Sequence, residues 1–419
     1  MRIARFCRYL PEHGVLPTVL TVEEKYYDKY DDSIENPPGI EVVRTPVFPI
    51  PFNFGHDRKS EVKTGRRPLR SVKLRGPHSP LAFARQQILA LSQAPDRFWG
   101  WYFAATRKGA QIINDRGMSV IISSGPPWTC HLIARYLKRR FRIPWIADFR
   151  DPWVANPWRN LPSWRNRLDR SLESSCLKDA DLVTCVTRAL RDDFITRYPQ
   201  LPQSRFAILS NGVDDAPQSS GTGLSKPSKI MLLHLGELYT SSERRIDTFC
   251  QALVDLVESG KLDPTKFQIL FVGSESPSSE IVAETIAREL VRNRCIEFRE
   301  RVTRQECEHL LDQADILLLF QGNHRISLPS KFFDYLRTGK PMLAIVENGA
   351  LSDMVDKTES GLWVSPGDST AIATRILEVL KLSAKSREEI DRLVSRFHFR
   401  KLAGQLAELA RGLATPVLH

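Results

Sequence analysis

The stretch Leu328-Pro329-Ser330-Lys331-Phe332-Phe333-Asp334-Tyr335-Leu336-Arg337-Thr338-Gly339-Lys340-Pro341 concentrates more usable chemistry than any other part of the chain. It lies between two apolar runs, Ile316–Phe320 and Pro341–Val346, that read as strands. Ser330 is placed to cap a helix. Lys331, in the first turn, then adds a full charge to the positive end of the helix dipole, which suits a phosphate. Asp334 follows one turn later on the same face, where its carboxylate can accept hydrogen bonds from sugar hydroxyls. Gly339 supplies the turn that ends the helix. A capped helix with a solvated lysine and aspartate accounts for the same pattern about as well.

A second candidate anion site is His234-Leu235-Gly236-Glu237-Leu238-Tyr239-Thr240-Ser241-Ser242-Glu243-Arg244-Arg245. A strand ends at Leu235, Gly236 permits close backbone approach, and an arginine there can grip a diphosphate in a bidentate manner. Arg244 and Arg245 cannot both point into one site, and Arg245 is the expected ligand. In the first half, Ile121-Ile122-Ser123-Ser124-Gly125-Pro126-Pro127-Trp128 runs from a strand into a tight turn. Trp145-Ile146-Ala147-Asp148-Phe149-Arg150-Asp151-Pro152-Trp153 brings Asp148, Arg150 and Asp151 out at another strand's carboxyl end. Ligands of open α/β sheets bind outside such ends. The cluster reads equally as a structural ion-pair knot. The nine histidines form no metal spacing, and there is no G-x-x-x-x-G-K-[ST] loop and no G-x-S-x-G elbow, so the commonest NTPase and hydrolase readings fall away.

These residues need a scaffold, and the apolar pattern supplies one. Strands are expected at Pro17–Val22, Gly39–Arg44, Ser119–Ser123, Pro144–Asp148, Leu182–Val186 and Phe206–Leu209. In the second half they are expected at Ile230–Leu235, Gln268–Val272, Ile296–Arg299, Ile316–Phe320, Pro341–Val346 and Leu362–Val364. Helical patterns alternate with them, the mark of doubly wound α/β domains. The boundaries expected are 1–213 for the first domain, a Pro/Gly/Ser-rich linker at 214–228, and 229–395 for the second. An amphipathic helix within 396–419 is expected to cross back to the first domain. The chain opens on a helix ending at Gly14 where such a domain normally opens with a strand and a Gly-rich turn. The first domain is therefore expected to lack its first strand, or to begin upstream of Met1. A Pro-rich segment, 46–80, breaks the rhythm and carries eight basic residues between Arg58 and Arg75.

The length of 419 residues suits two domains. Net charge is +11, but residues 1–213 carry 34 Lys+Arg against 20 Asp+Glu, and the remainder 26 against 29. The excess therefore lies wholly in the first half and points to an anionic partner there. Seven cysteines without a C-x-x-C pair fit buried thiols in a reducing cytoplasm. No apolar run approaches the ~18–20 residues needed to span a bilayer, so any membrane contact is expected to be peripheral. A nucleic-acid partner is not expected, because no reading motif accompanies the charge.

The order Ser-Ser-Gly-Pro-Pro, Trp-Ile-Ala-Asp-Phe-Arg-Asp-Pro-Trp, Ala180-Asp181-Leu182-Val183-Thr184 and Ser210-Asn211-Gly212-Val213-Asp214 resembles the first half of bacterial family-4-type glycosyltransferases of the GT-B fold. His-Leu-Gly-Glu-Leu-Tyr, Leu270-Phe271-Val272-Gly273, Pro-Ser-Lys-Phe-Phe-Asp-Tyr-Leu, Gly-Lys-Pro and Val364-Ser365-Pro366-Gly367-Asp368 continue it, in the manner of the Pro-Ser-Lys variant subgroup. The resemblance covers nearly the whole chain. It implies two Rossmann-like domains facing a cleft, a nucleotide-sugar donor on the second, an acceptor on the first, and transfer with retention. Carried onto this sequence, Gly236, Arg245 and Lys331 match the donor-diphosphate positions, and Asp334 matches the carboxylate on the nucleotide ribose. The family's pair of glutamates with seven residues between them departs here to Ile326 and Asp334.

The function expected is transfer of a sugar from a nucleoside diphosphate to a hydroxyl acceptor, with no metal and no cofactor. The acceptor is expected to be lipid-linked, in cell-surface polysaccharide or glycolipid synthesis, with the enzyme at the inner face of an anionic cytoplasmic membrane. Ser124, Gly125, Asp148 and Arg150 are the acceptor-side candidates, and Asp151 is the candidate for orienting the acceptor. The membrane-facing elements expected are the basic segment Arg58–Arg75, the cluster Arg135, Lys138, Arg139, Arg140, Arg142, and the aromatics Phe98–Phe103. A nucleotide-sugar epimerase of the same fold, or an inactive sugar-nucleotide-binding partner subunit, are the competing readings.

Overall fold

The computed structural model describes residues 2–27, 39–48, 87–88, 90–156, 161–214, 229–238, 244–273 and 277–414. The basic segment Arg58–Arg75 and most of the expected linker fall outside these residues. All twelve expected strands are present: β1 Thr18–Val22, β2 Glu41–Thr45, β3 Ile121–Gly125, β4 Trp145–Phe149, β5 Leu182–Cys185, β6 Phe206–Ile208, β7 Ile230–Leu235, β8 Phe267–Val272, β9 Ile296–Arg299, β10 Ile316–Gly322, β11 Met342–Val346 and β12 Gly361–Val364. In β4, β10 and β11 short runs of apolar residues become strands that neighbours on both faces bury.

The second half builds one six-stranded sheet in the order β12-β11-β10-β7-β8-β9, with every pairing parallel. β10 shows how the sequence dictates this. Its residues are buried throughout, and they alternate between two cores. Ile316, Leu318 and Phe320 meet the helices Ile246–Glu258 and Ser369–Val379 on one face. Leu317 and Leu319 meet the helices Arg304–Gln313, Lys331–Leu336 and Ala350–Thr358 on the other. Strand order reverses between β7 and β10, so the turns leaving these two strands open onto one crevice.

The first half is divided. β1 pairs with β2, from Thr18 opposite Glu41 to Val22 opposite Thr45. A separate sheet runs β3-β4-β5-β6. Among the described residues no ladder joins the two sheets, but their apolar core is continuous: Leu20 and Val22 share a cluster with Ile121, Ala105, Ile113, Ile133 and Leu137. The helices Tyr102–Arg116 and Thr129–Phe141 approach closely at Gly109, where a Cβ would come 2.7 Å from Leu137.

The opening helix, Arg2–Tyr9, continues as one 3-10 turn to His13 and ends at Gly14 with φ 73°. It packs against the residues just before the linker and against the last helix. Arg2 is only 5% exposed and donates to the carbonyls of Leu209 and Ser210, each at 2.6 Å, and to Asn211 Oδ1 at 2.9 Å. Phe6 meets Phe399 edge-on at 5.3 Å. Arg2→Ala is expected to cost on the order of 2–4 kcal/mol, because two buried carbonyls lose a charged donor; urea unfolding measures it, and an unchanged midpoint would refute it.

The compact units therefore do not follow chain order. One comprises Met1–Gly14, Val186–Thr196 and Ile208–Leu406; the other Val15–Cys185, Arg197–Ala207 and Ala407–His419. The expected boundaries, 1–213 and 229–395, follow the linker, whereas these units group the chain by its packing. The final helix, Phe399–Ala414, is apportioned to both units at Leu406.

Candidate active site

In the larger unit the site forms where β7, β8 and β10 end. Gly236 follows β7 with φ 105°, and its N–H donates to Val272 O at 2.6 Å. Gly273 follows β8 with φ 92°; a Cβ on it would lie 3.3 Å from Gly236 Cα. The two glycines stack backbone on backbone and leave an open floor. Lys331 crosses that floor: a Cβ on Gly236 would sit 2.5 Å from Lys331 Nζ. Beneath, the wholly buried His234 donates from Nδ1 to Leu318 O at 2.9 Å, and burial with the nearby Lys331 charge holds it neutral.

Lys331 is held there by its own helix. Phe332 and Phe333 are wholly buried, and Tyr335 Oη accepts the Leu235 N–H at 2.8 Å, tying the helix to the end of β7. Ser330 does not cap this helix: it already has helical dihedrals and its hydroxyl makes no capping bond. Burial and the Arg244 guanidinium push the Lys331 ammonium down to about 7, against the pull of Glu237. An anion bound beside Lys331 would favour its charged form.

The two neighbouring arginines are placed differently. Arg245 takes a left-handed conformation, φ 53°, and binds Asp247 at 3.0 Å, with 37% of its side chain exposed. The charge of Arg244 instead reaches Lys331, His234 and His324. A chain reversal by one left-handed residue exchanges which of two neighbouring side chains faces inward. Asp334 lies among Arg5, Arg337 and Arg304, with Glu308 opposing, and burial raises its carboxyl above the usual range. Arg5 itself pairs with Asp214 at 2.8 Å.

Sequence reasoning missed the loop after β10. Gln321 Nε2 donates to His324 O at 2.9 Å and Ser327 O at 2.7 Å. Thr187 Oγ1 donates to Ile326 O at 2.7 Å. His324 is 5% exposed, and burial beside Arg244 lowers it to about 4. The signal was thin: a single polar Gln321 ending an apolar strand.

In the other unit, Ser124 and Asp148 do come together, but chiefly with each other. Ser124 Oγ donates to Asp148 Oδ2 at 2.7 Å, and Thr184 Oγ1 donates to Oδ1 at 2.8 Å, with Asp148 2% exposed. Two hydroxyls from the flanking strands thus hold this carboxylate in place. Arg150 donates to the carbonyls of Gly125 and Pro126, bracing that turn. Gly125 has no room for a side chain: a Cβ would come 2.7 Å from both His131 Nε2 and the Trp128 ring. Asp151 alone of the group is exposed. Asp96, absent from the sequence reading, caps the helix Thr129–Phe141 by accepting from Thr129 N and Oγ1, both at 2.8 Å. Among the described residues no three His, Cys, Asp or Glu side chains gather as metal ligands would.

The membrane-facing expectations are partly redrawn. Arg135 and Arg139 pair with Asp179 at 2.5 and 2.7 Å, and Lys138 pairs with Asp181. Trp101 is buried, whereas Phe103 is exposed. No helix among the described residues is long and apolar enough to cross a membrane.

Comparison with known families matches residues 1–212 to the glycosyl transferase 4-like domain and residues 229–382 to the glycosyl transferases group 1. No curated protein matches the chain. Among solved structures it is similar to sucrose-phosphate synthase from Thermosynechococcus elongatus, with a TM-score of 0.66 and 15% identity over 98% of this chain and 92% of that one. A glycosyltransferase from Rickettsia africae ESF-5 gives 0.65 and 14% over 99% and 94%. Anabaena Alr3699/HepE in complex with UDP gives 0.55 and 16% over 73% and 82%. At these identities the likeness is one of fold, two parallel-sheet domains of the GT-B kind.

Proposed function

Because this chain belongs to the glycosyltransferases, with a 4-like first half and a group 1 second half, we propose that it moves a sugar from a nucleoside diphosphate to a hydroxyl acceptor. The observation that carries this is the Lys331 ammonium lying across the Gly236–Gly273 floor with the Arg244 charge acting on it. Departure of the diphosphate is the step that develops charge, and two preorganised cations on a backbone floor stabilise it without reorganisation. That Anabaena Alr3699/HepE was solved with UDP and with UDP-glucose supports a nucleotide-sugar donor. Asp334 is the proposed ribose ligand and the exposed Asp151 the group that orients the acceptor.

The finer reading follows the family resemblance. Transfer is retaining and of hexosyl type, Lys331 and Arg244 standing where other enzymes use a metal. The acceptor is lipid-linked, at the inner face of the cytoplasmic membrane, in cell-surface polysaccharide or glycolipid synthesis. Ile326 in place of the family's first glutamate favours one other reading, a sugar-nucleotide-binding subunit without turnover.

The test is a donor panel with the full chain. Arg244→Ala is expected to weaken UDP binding about tenfold or more, the worth of one charge-assisted hydrogen bond, while Arg245→Ala leaves it within about twofold. Equal losses would overturn the assignment. UDP binding without release of sugar to any acceptor would favour the partner subunit, and conversion of donor without acceptor an epimerase.

A further inference from the structure

The helices Tyr102–Arg116 and Thr129–Phe141 present a face that the donor chemistry does not use. Phe103 is 59% exposed, Phe48 54% and Tyr136 37%. They belong to one surface. The Phe48 N–H donates to Gly100 O at 3.2 Å, just before the first helix, and Tyr102 touches both Phe103 at 5.6 Å and Tyr136 at 6.1 Å. Its base is fixed, because Trp101 is buried and donates to Thr45 Oγ1 at 2.7 Å.

The charges around these rings have one sign. Arg107 is exposed one turn beyond Phe103, and Arg140 is exposed one turn beyond Tyr136, donating to its hydroxyl at 3.2 Å. Arg142 is exposed where that helix ends. The helix Thr129–Phe141 has no acidic residue, and Tyr102–Arg116 has only Asp115, near its far end. Exposed rings at the level of guanidinium groups match a headgroup layer, where aromatics enter the acyl boundary and arginines meet phosphates.

We propose that Phe48, Phe103 and Tyr136, framed by Arg107, Arg140 and Arg142, are the surface by which this protein docks on an anionic bilayer. The inference deepens the reading of a lipid-linked acceptor and rests on it for its purpose. It replaces Arg135, Lys138 and Arg139, whose charges Asp179 and Asp181 hold.

The experiment is sedimentation of the full chain with phosphatidylcholine vesicles, with and without phosphatidylglycerol. Binding to the anionic vesicles alone is expected, weakening as salt rises. Phe48→Ser with Phe103→Ser, and separately Arg107→Glu with Arg140→Glu, are each expected to weaken partitioning at least tenfold, with UDP affinity and melting temperature unchanged. No binding by the wild type, or equal binding by both variants, overturns the proposal. So does a dimer that the Phe variant converts to monomer while vesicle binding persists, since the occupant is then a second copy. UDP affinity on the same samples reports on the donor site separately.

Discussion

Lys331→Ala is expected to lower sugar transfer by about 10²–10³-fold, the effect of removing one preorganised charge from a departing anion, without lowering the melting temperature. The two halves of that expectation have one cause. Lys331 is disfavoured as a cation in the unliganded fold, by desolvation and by Arg244, so its removal relieves the protein while disabling it. The same displacement sets a pH dependence. From about 7 to its ordinary 10.5, the unfolded lysine is protonated and the native one is not, so this group's contribution to stability improves as pH rises through that window. Anion binding runs the other way: affinity for UDP-glucose falls as pH rises through about 7, and binding takes up a proton. Calorimetry in buffers of different ionisation enthalpy measures the uptake. Lys331→Arg keeps its charge and is expected to lose the slope; a wild-type affinity independent of pH would refute this account.

Gly236→Ala is expected to weaken UDP binding at least tenfold and to destabilise the fold by about 1–3 kcal/mol. At φ 105° an L side chain is strained whatever surrounds it, and here the new Cβ would lie 2.5 Å from Lys331 Nζ. The ammonium must leave its place. Gly260 is the control, since its φ of 69° carries strain but nothing lies within 4 Å of a Cβ there. Gly260→Ala is expected to lower the melting temperature and leave UDP binding intact. If Gly236→Ala behaves the same way, the floor does not hold the ligand.

Much of this was legible beforehand, for identifiable reasons. The strands were readable because parallel strands buried on both faces are written as unbroken apolar runs, as in Ile316–Phe320. Gly236 and Lys331 were singled out in separate motifs, each after an apolar strand, and only the family resemblance grouped them. What escaped the sequence depends on partners far along the chain or on single dihedrals. That the charge of Arg244 reaches Lys331 while Arg245 pairs with Asp247 turns on one left-handed residue. Asp148 is taken by Ser124 and Thr184 on the flanking strands, 24 and 36 residues away. Asp96 caps a helix 33 residues on, beyond any local capping pattern. Of the basic cluster after Ile133, Arg135, Lys138 and Arg139 find partners in Asp179 and Asp181, 40 or more residues on.

The backbone passes from one compact unit to the other after Gly14, Cys185, Thr196, Ala207 and Leu406. No single scission can separate the units with their chains intact. A gene fragment spanning 229–395 encodes all six strands of the larger sheet, yet it omits the Arg2 helix, Leu209 to Val213, and the start of the last helix that Phe6 packs against. Shuffling halves between relatives at the linker would likewise part Phe6 from Phe399 unless both parents matched there. Because the chain alternates between the units, no contiguous stretch carries either one alone.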